Sequence, residues 1–414
     1  MRTTMNERRT VTKLFAERYQ RATKKEKGEL LNEYLKMTGY DRCYGAWLLR
    51  GHGKRVVLDS QRVAEGDVSK RLRRDCQPFY DQAVKLALVK VWMILDCICG
   101  KRLAPILAEI VTKLEACGEL RLKAGVREKL ISISAATIDR LLASEREKMG
   151  GRKVGHTKPG TLLKHQIPVR TFADWNEQEP GFVEIDLVGH EGGKASGDFC
   201  FTLDVTDIYS GWTETRAVRN KARVWVVQAL DGIATGLPFS LKGVDSDNGS
   251  EFINEHLYSY CVGRHLTFTR ARSGRKNDNC YVEQKNYSVV RRAVGYARYE
   301  TEEQLGLLNE LYDHLRLYTN YFQPVMKLRE KKREGSKVSK KYDSARTPYQ
   351  RLLDAPQLSK EQKQRLCREY GKLNPAQLKR EITRLQEELL KSAGREAKVD
   401  SRQARSSSQA IRPR

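Results

Sequence analysis

Over the first 150 positions, apolar residues recur at helical spacing. Residues 26–36 form a charged stretch with Leu30, Leu31, Tyr34 and Leu35 along one side. Thr38-Gly39-Tyr40 interrupts it, and residues 41–50 then carry Tyr44, Trp47 and Leu48. Helix, glycine-containing turn and helix together make the helix-turn-helix pattern, which plain helical hairpins share. The most apolar window is 83–99. Lys85, Lys90 and Asp96 break it up, and it is too short to span a bilayer, so it reads as a buried helix. A second helix-turn-helix candidate follows at 125–147. Ser134 is placed to cap a helix carrying Ile138, Leu141 and Leu142. Residues 135–147 are then either a recognition helix, with Thr137, Arg140 and Arg146 outward, or a helix whose apolar residues are ordinary core.

The pattern changes at 150. Gly150-Gly151, Gly155, Pro159-Gly160, Pro168 and Pro180 punctuate a basic stretch that reads as an extended linker arm. From Gly181 the periodicity becomes that of an α/β domain. Strands are expected at 182–188, 199–205, 212–218, 240–245 and 266–269, with helices at 220–235, 251–262, 277–297 and 302–321. Three consecutive strands imply an antiparallel meander, and the later strand–helix alternation implies a parallel part. Beyond residue 326 a dense run of lysine and arginine is expected to stay mobile until it meets DNA. Asn374 and Pro375 then open a helix. Its Leu378, Ile382, Leu385 and Leu389 make either a short coiled-coil seam or an amphipathic helix docked on its own chain. The Ser/Arg-rich end is expected to be disordered. The expected division is 1–75, 76–150, 151–180, 181–325 and 326–414.

Composition narrows the class. The chain has 414 residues and 39% hydrophobic positions, enough to build cores and to exclude global disorder. With 77 Lys and Arg against 52 Asp and Glu, the formal net charge is +25. Such an excess points to a polyanionic partner, nucleic acid first and an anionic membrane second, with a merely solvated surface as the bland alternative. The basic, polar MRTTMNERRT start carries no secretory pattern. Nine cysteines lie scattered with no C-x-x-C pair, so neither structural zinc nor a dithiol redox motif is supported, and reduced thiols in a cytoplasmic protein are expected.

Three segments carry candidate chemistry. Val183-Glu184-Ile185-Asp186-Leu187-Val188 puts acids inside an apolar strand, which is costly without a partner or a metal. Val244-Asp245-Ser246-Asp247-Asn248-Gly249-Ser250-Glu251-Phe252 ends a strand in an acid and turns into a helix. Asn279-Cys280-Tyr281-Val282-Glu283-Gln284 opens the long helix, and 35 residues separate Asp247 from Glu283. Glu184, Asp204, Asp207 and Asp245 are the rival acids, since strand ends and turns often carry them for local hydrogen bonding.

Over roughly residues 180–325, the chain resembles the catalytic core of retroviral integrases and DDE transposases. DSDNGSEF, the spacing to Glu283, EIDLV and TLDVTDIYSGWTE carry the likeness, and TKPGTLLKHQIPVRTFADW resembles bacterial insertion-sequence transposases of this type. The resemblance implies an α/β ribonuclease-H-like domain: a mixed five-stranded sheet with flanking helices, here preceded by an all-α helix-turn-helix region and followed by a basic, partly helical tail. It implies Asp186, Asp247 and Glu283 as catalytic and metal-holding acids, with two Mg²⁺ ions about 3.5–4 Å apart, Mn²⁺ substituting, and Asp186 between them. It also implies cleavage of element ends by water and strand transfer by the freed 3′-OH.

Asn248 and Gly249 are expected to shape the turn, Gly249 with positive φ, and Asn277 and Asp278 to cap the helix. Arg42, Arg50, Arg140, Lys158, Lys164, Lys276, Lys285, Arg291 and Arg292 are candidate DNA contacts. The family's lysines one and two turns past the glutamate are replaced here by Tyr287 and Val290, so that role does not carry over. Expected partners are double-stranded DNA, as element terminal repeats and target, and further copies of the chain on that DNA, with no membrane. The expected location is cytoplasmic, on bacterial DNA. A catalytically silent DNA-binding derivative and a nuclease of the same fold are the alternatives.

Overall fold

The structure is a computed structural model that describes residues 5–59, 62–66, 79–149, 179–194, 196–247, 249, 251–252, 254–271, 279–334 and 337–409. It divides into two compact units, Met1–Phe79 and Tyr80–Arg414.

In the first unit, α1 (Met5–Arg21), α2 (Lys24–Thr38) and α3 (Arg42–Gly51) pack around Phe15, Ala16, Tyr19, Leu31, Tyr34, Ala46 and Leu49. The ends of the helices follow from local chemistry. Thr23 and Glu26 form a capping box at the start of α2. Gly39 ends it in the left-handed region (φ 68°), where a side chain would be strained. Asp41 then caps α3 through the Cys43 and Tyr44 amides. The expected helix, glycine turn and helix are therefore present. A hairpin of β1 (Arg55–Asp59) and β2 (Arg62–Glu65) follows.

The second unit opens with α4 (Gln82–Ile94), α5 (Gly100–Leu103), α6 (Leu107–Ala116), α7 (Ala124–Ile131), α8 (Ala135–Leu141) and α9 (Ala143–Met149). The apolar window at 83–99 supplies α4, with Val84, Leu88, Val91 and Trp92 buried. Ser134 caps α8 as expected, accepting from the Thr137 amide. Ile138 and Leu142 are fully buried, and the helical run breaks after Leu141. Both readings of this segment bury these residues, and Arg140 is exposed.

A five-stranded mixed sheet follows, with order β5-β4-β3-β6-β7. Strands β3 (Phe182–Gly189), β4 (Phe201–Asp207) and β5 (Thr213–Val218) form the antiparallel meander. β6 (Gly243–Ser246) and β7 (Thr267–Arg270) add in parallel, which requires the crossover helices α10 (Arg223–Gly236) and α11 (Glu255–Gly263).

Because side chains alternate across a strand, the register sorts the sheet into two unlike faces. Val183, Ile185, Leu203, Val205, Val244 and Phe268 lie with Val226, Leu230, Leu257 and Cys261 of α10 and α11 in one apolar cluster. The opposite face carries Glu184, Asp186, Asp204, Thr206, Thr213, Thr215 and Asp245, placed together by the pairs Glu184↔Thr206, Asp186↔Asp204, Glu184↔Asp245 and Asp204↔Thr215.

Two helical segments cover this polar face. One is continuous from α12 (Cys280–Lys285) through a π-helical turn (Asn286–Arg291) to α13 (Arg292–Val294); the other is α14 (Glu302–Phe322). Side-chain amides of α14 bind the edge strand: Asn320 accepts from the Thr213 amide and donates to its carbonyl, and Asn309 does the same at Ala217.

The C-terminal region departs from expectation. The basic run, expected to be mobile, forms a hairpin of β8 (Leu328–Glu334) and β9 (Lys337–Tyr342). Then come α15 (Pro348–Asp354), α16 (Lys360–Lys372) and α17 (Pro375–Gln409), the last running through the Ser/Arg-rich stretch expected to be disordered. Leu378, Ile382, Leu385 and Leu389, by contrast, are buried in the unit's own core beside α14, as the docked-helix alternative expected. That core also takes in α4, α6, α8, α14 and α15, so residues from 84 to 389 share one hydrophobic cluster. Apolar stripes on the flanking helices gain more by burial against the sheet domain than as separate small bundles. No helix among the described residues is long and apolar enough to cross a membrane.

Candidate functional site

Asp186 lies on β3 and Asp247 directly after β6. The last register pair between these parallel neighbours is Ile185↔Ser246. The two acids are the next residues on adjacent strands, so their backbones stand about 4.8 Å apart, the spacing of neighbouring strands. Glu283 is in the first turn of α12, with its side chain exposed to solvent.

Asp186 accepts from its neighbour's amide (Leu187 N to Oδ1, 2.8 Å) and from the side chain of Asn286 (Nδ2 to Oδ2, 2.6 Å). Burial first, and then the negative charge of Asp247 and of Glu283, push its carboxyl up to about 7, against the pull of those two hydrogen bonds. Burial also raises Asp247, opposed by the Gly249 amide, which donates to its Oδ1 at 2.8 Å. The three acids, far apart in sequence, thus come near enough for Asp186 to feel the charge of both of the others.

At Gly249 a Cβ would stand 2.7 Å from the Glu251 carboxyl and 2.9 Å from Asp247 Oδ1, so a larger residue would push both side chains aside. Asn248 lies outside the described residues, as do Lys158, Lys164, Lys276, Asn277 and Asp278.

The rival acids have structural employment. Glu184 accepts from the Tyr281 and Val282 amides at 2.8 and 2.9 Å, capping α12. Asp204 is fully buried, takes the Thr206 hydroxyl, and feels the positive charge of Lys285. Asp207 binds the Gly181 amide and the amide and hydroxyl of Ser210, holding a turn. Asp245 accepts from the Thr269 hydroxyl on the neighbouring strand.

One proposed DNA contact is corrected, and two others have partners within the chain. Lys285 is only 7% exposed, and burial lowers its ammonium pKa to about 8 even with Asp204 close by, so it faces the domain interior rather than a duplex. Arg291 donates to the carbonyls of Gly189 and Gly295 and lies over the Tyr296 ring. Arg292 pairs with the Asp96 carboxylate at 2.6 Å. A cation two residues past Glu283 reads as a phosphate binder from sequence, but the helix is covered at Lys285, while Arg292 stays exposed. Arg42, Arg50 and Arg140 are exposed, with hydrogen bonds to Asn32, Ala46 and Thr137 respectively.

Asn286 was not foreseen. Its signal was available: three residues beyond Glu283, it shares that residue's helical neighbourhood and opens a π-helical turn, a feature frequent at functional sites.

Among the described residues, no three His, Cys, Asp or Glu side chains approach closely enough to form a ready-made metal cage. The donor set, carboxylates alone, is that of a hard divalent cation. Without one, the mutual repulsion that raises Asp186 also opposes closer approach.

No protein-family model matches the chain. A curated relative, the uncharacterized protein y4rM of Sinorhizobium fredii, is 39% identical over 341 residues, which cover 82% of this chain and 93% of the relative. The chain belongs to the family of that protein.

Solved structures similar to it are retroviral integrase catalytic cores. The HTLV-2 integrase catalytic core domain in complex with magnesium, in its dimeric form, is 12% identical, with 36% of this chain and 90% of that chain covered and a TM-score of 0.28. The catalytic core domain of BIV integrase is 15% identical, with 42% and 93% covered and a TM-score of 0.29. Scores this low carry no argument about the site.

Proposed function

We propose that this protein is a DNA transposase with a ribonuclease-H-like catalytic domain, in which Asp186, Asp247 and Glu283 form the active site. One observation carries the reading: Asp186 is driven up to about 7 by burial and by repulsion from both Asp247 and Glu283. Groups so perturbed by burial and by each other cluster at functional sites. The sheet order, with Asp186 in mid-β3 beside the end of its parallel neighbour β6, where Asp247 follows, and Glu283 at a helix start, supports the same reading.

These three carboxylates would hold a pair of Mg²⁺ ions, with Mn²⁺ able to replace them; bound there, the ions supply charge stabilisation to the attacking and leaving oxygens of a phosphodiester. The chain's own contribution is to hold the acids in place. Asn286 fixes Asp186, and the Gly249 amide fixes Asp247. Carboxylate oxygens with two lone pairs keep further acceptor capacity. The nucleophile is water for end cleavage and the freed 3′-OH for strand transfer. Double-stranded DNA is the partner, drawn by the net charge of +25, with Arg42 and Arg50 in the helix-turn-helix unit and Arg140 as exposed contacts. Two element ends must be held at once, so the working form is an oligomer on DNA.

A strand-transfer assay with the element's own terminal DNA and Mg²⁺ or Mn²⁺, run beside Asp247→Asn, tests this. Metal-dependent joining that disappears in the variant is the expected result. Specific end binding without cleavage by either protein, under either metal, would leave a silent DNA-binding derivative instead.

A further inference from the structure

Glu184 is fully buried and carries an acid into the middle of a strand, an arrangement that burial penalises heavily. What it binds accounts for its presence. The first N–H groups of a helix have no partner within the helix, and the side chain of Asn279, at the N-cap of α12, makes no capping bond. Glu184 Oε2 takes over that task from the neighbouring strand, accepting from Tyr281 N (2.8 Å) and Val282 N (2.9 Å). These are the two residues immediately before Glu283. Two residues along β3 and on the same face, Asp186 accepts from the side chain of Asn286, three residues after Glu283. The helical segment is therefore tied to a single strand on both sides of Glu283. Glu283 is carried on the backbone between these two ties.

We propose that Glu184 is a positioning residue: by capping α12 from β3, it fixes where Glu283 stands relative to Asp186. The proposal rests on the reading of Asp186, Asp247 and Glu283 as the metal-holding acids. Such sites require supporting groups that hold each ligand within a fraction of an ångström, and loss of a supporting hydrogen bond typically lowers metal affinity or activity about 10–100-fold. What matters here is an acceptor oxygen at the right reach. Glu184→Gln keeps that oxygen without the carboxyl group, whereas Glu184→Asp keeps the carboxyl but is one methylene too short.

The test compares the full-length wild type, Glu184→Gln and Glu184→Asp by three readouts. These are amide hydrogen exchange at Tyr281 and Val282, Mn²⁺ binding by calorimetry, and strand transfer. Glu184→Gln is expected to stay within about threefold of wild type in all three. Glu184→Asp is expected to lose exchange protection at those two amides and to lose about tenfold or more in Mn²⁺ affinity and in joining rate.

Retention by the Asp variant with loss in the Gln variant would overturn the proposal, since the carboxyl group rather than capping would then matter. Loss of amide protection with Mn²⁺ affinity unchanged would overturn it too, leaving Glu184 a helix cap only. Failure of the wild type to bind Mn²⁺ would instead overturn the reading of the three acids, and the positioning role with it. Normal Mn²⁺ binding and the expected variant pattern without any joining would count against the transposase activity and for the role of Glu184.

Discussion

Replacing Asp186 by asparagine should stabilise the fold at high pH while abolishing activity. The carboxyl titrates near 7 in the folded chain, against an ordinary value of 3.8. A group whose pKa is raised on folding stabilises the fold fully below its unfolded value and loses that contribution as pH rises through its folded one. For Asp186 the loss runs from about pH 3.8 to about pH 7 and amounts to about 4 kcal/mol at pH 8, at 1.36 kcal/mol per unit. Roughly one third of it has developed by pH 5.

Asparagine is neutral throughout and still offers an oxygen to Asn286. Any fixed cost of the substitution is the same at both pH values, so the comparison isolates the charge. Relative to wild type, Asp186→Asn should therefore gain about 3 kcal/mol between pH 5 and pH 8. Urea unfolding followed by tryptophan fluorescence, with Trp212 buried beside the sheet as a reporter, measures it. Added Mg²⁺ at pH 8 should narrow the gap by stabilising only the wild type. Parallel pH profiles for the two proteins would refute the reasoning, as would a variant that loses ground at pH 8. Such a gain bought with loss of function is the trade-off expected where like charges are gathered for chemistry.

His190 should act in the opposite sense: buried against the Thr202 hydroxyl, which also meets Tyr312, its imidazole is pushed down to about 3 by burial and by Arg291. Its contribution is present above about pH 6.5 and is lost as pH falls toward 3, amounting to about 2 kcal/mol at pH 5, and His190→Gln should remove this part of the acid sensitivity in urea unfolding. Leu385→Ala, at a fully buried position of α17, should cost about 2–5 kcal/mol in thermal or urea unfolding, whereas a loss under about 0.5 kcal/mol would mean that the C-terminal helix is not docked in solution.

The sequence by itself determined the elements and the identity of the candidate acids. Strand and helix periodicities are local, and they put β3 to β7 and α10, α11 and α14 within a few residues of where they form. The cap at Ser134 and the turn at Gly39 were legible because a cap or a glycine turn depends on only a few neighbours. Asp186, Asp247 and Glu283 stood out because motif and spacing constrain each other.

Tertiary structure alone decided what each charged group meets. Glu184 and Asp186 look equivalent along the strand, yet one caps a helix 97 residues away and the other faces Asp247 and Glu283. Lys285 reads as a phosphate binder until packing buries it near Asp204, and Arg291 bonds the Gly189 carbonyl. The basic run after residue 326 reads as mobile, yet β8 and β9 pair it into a hairpin, and only the fold shows that the helix of Leu378, Ile382, Leu385 and Leu389 docks beside α14. The physical reason is the same in each case. Backbone preference is set by near neighbours, but burial, ion pairing and pKa depend on groups that only the folded chain brings within a few ångströms.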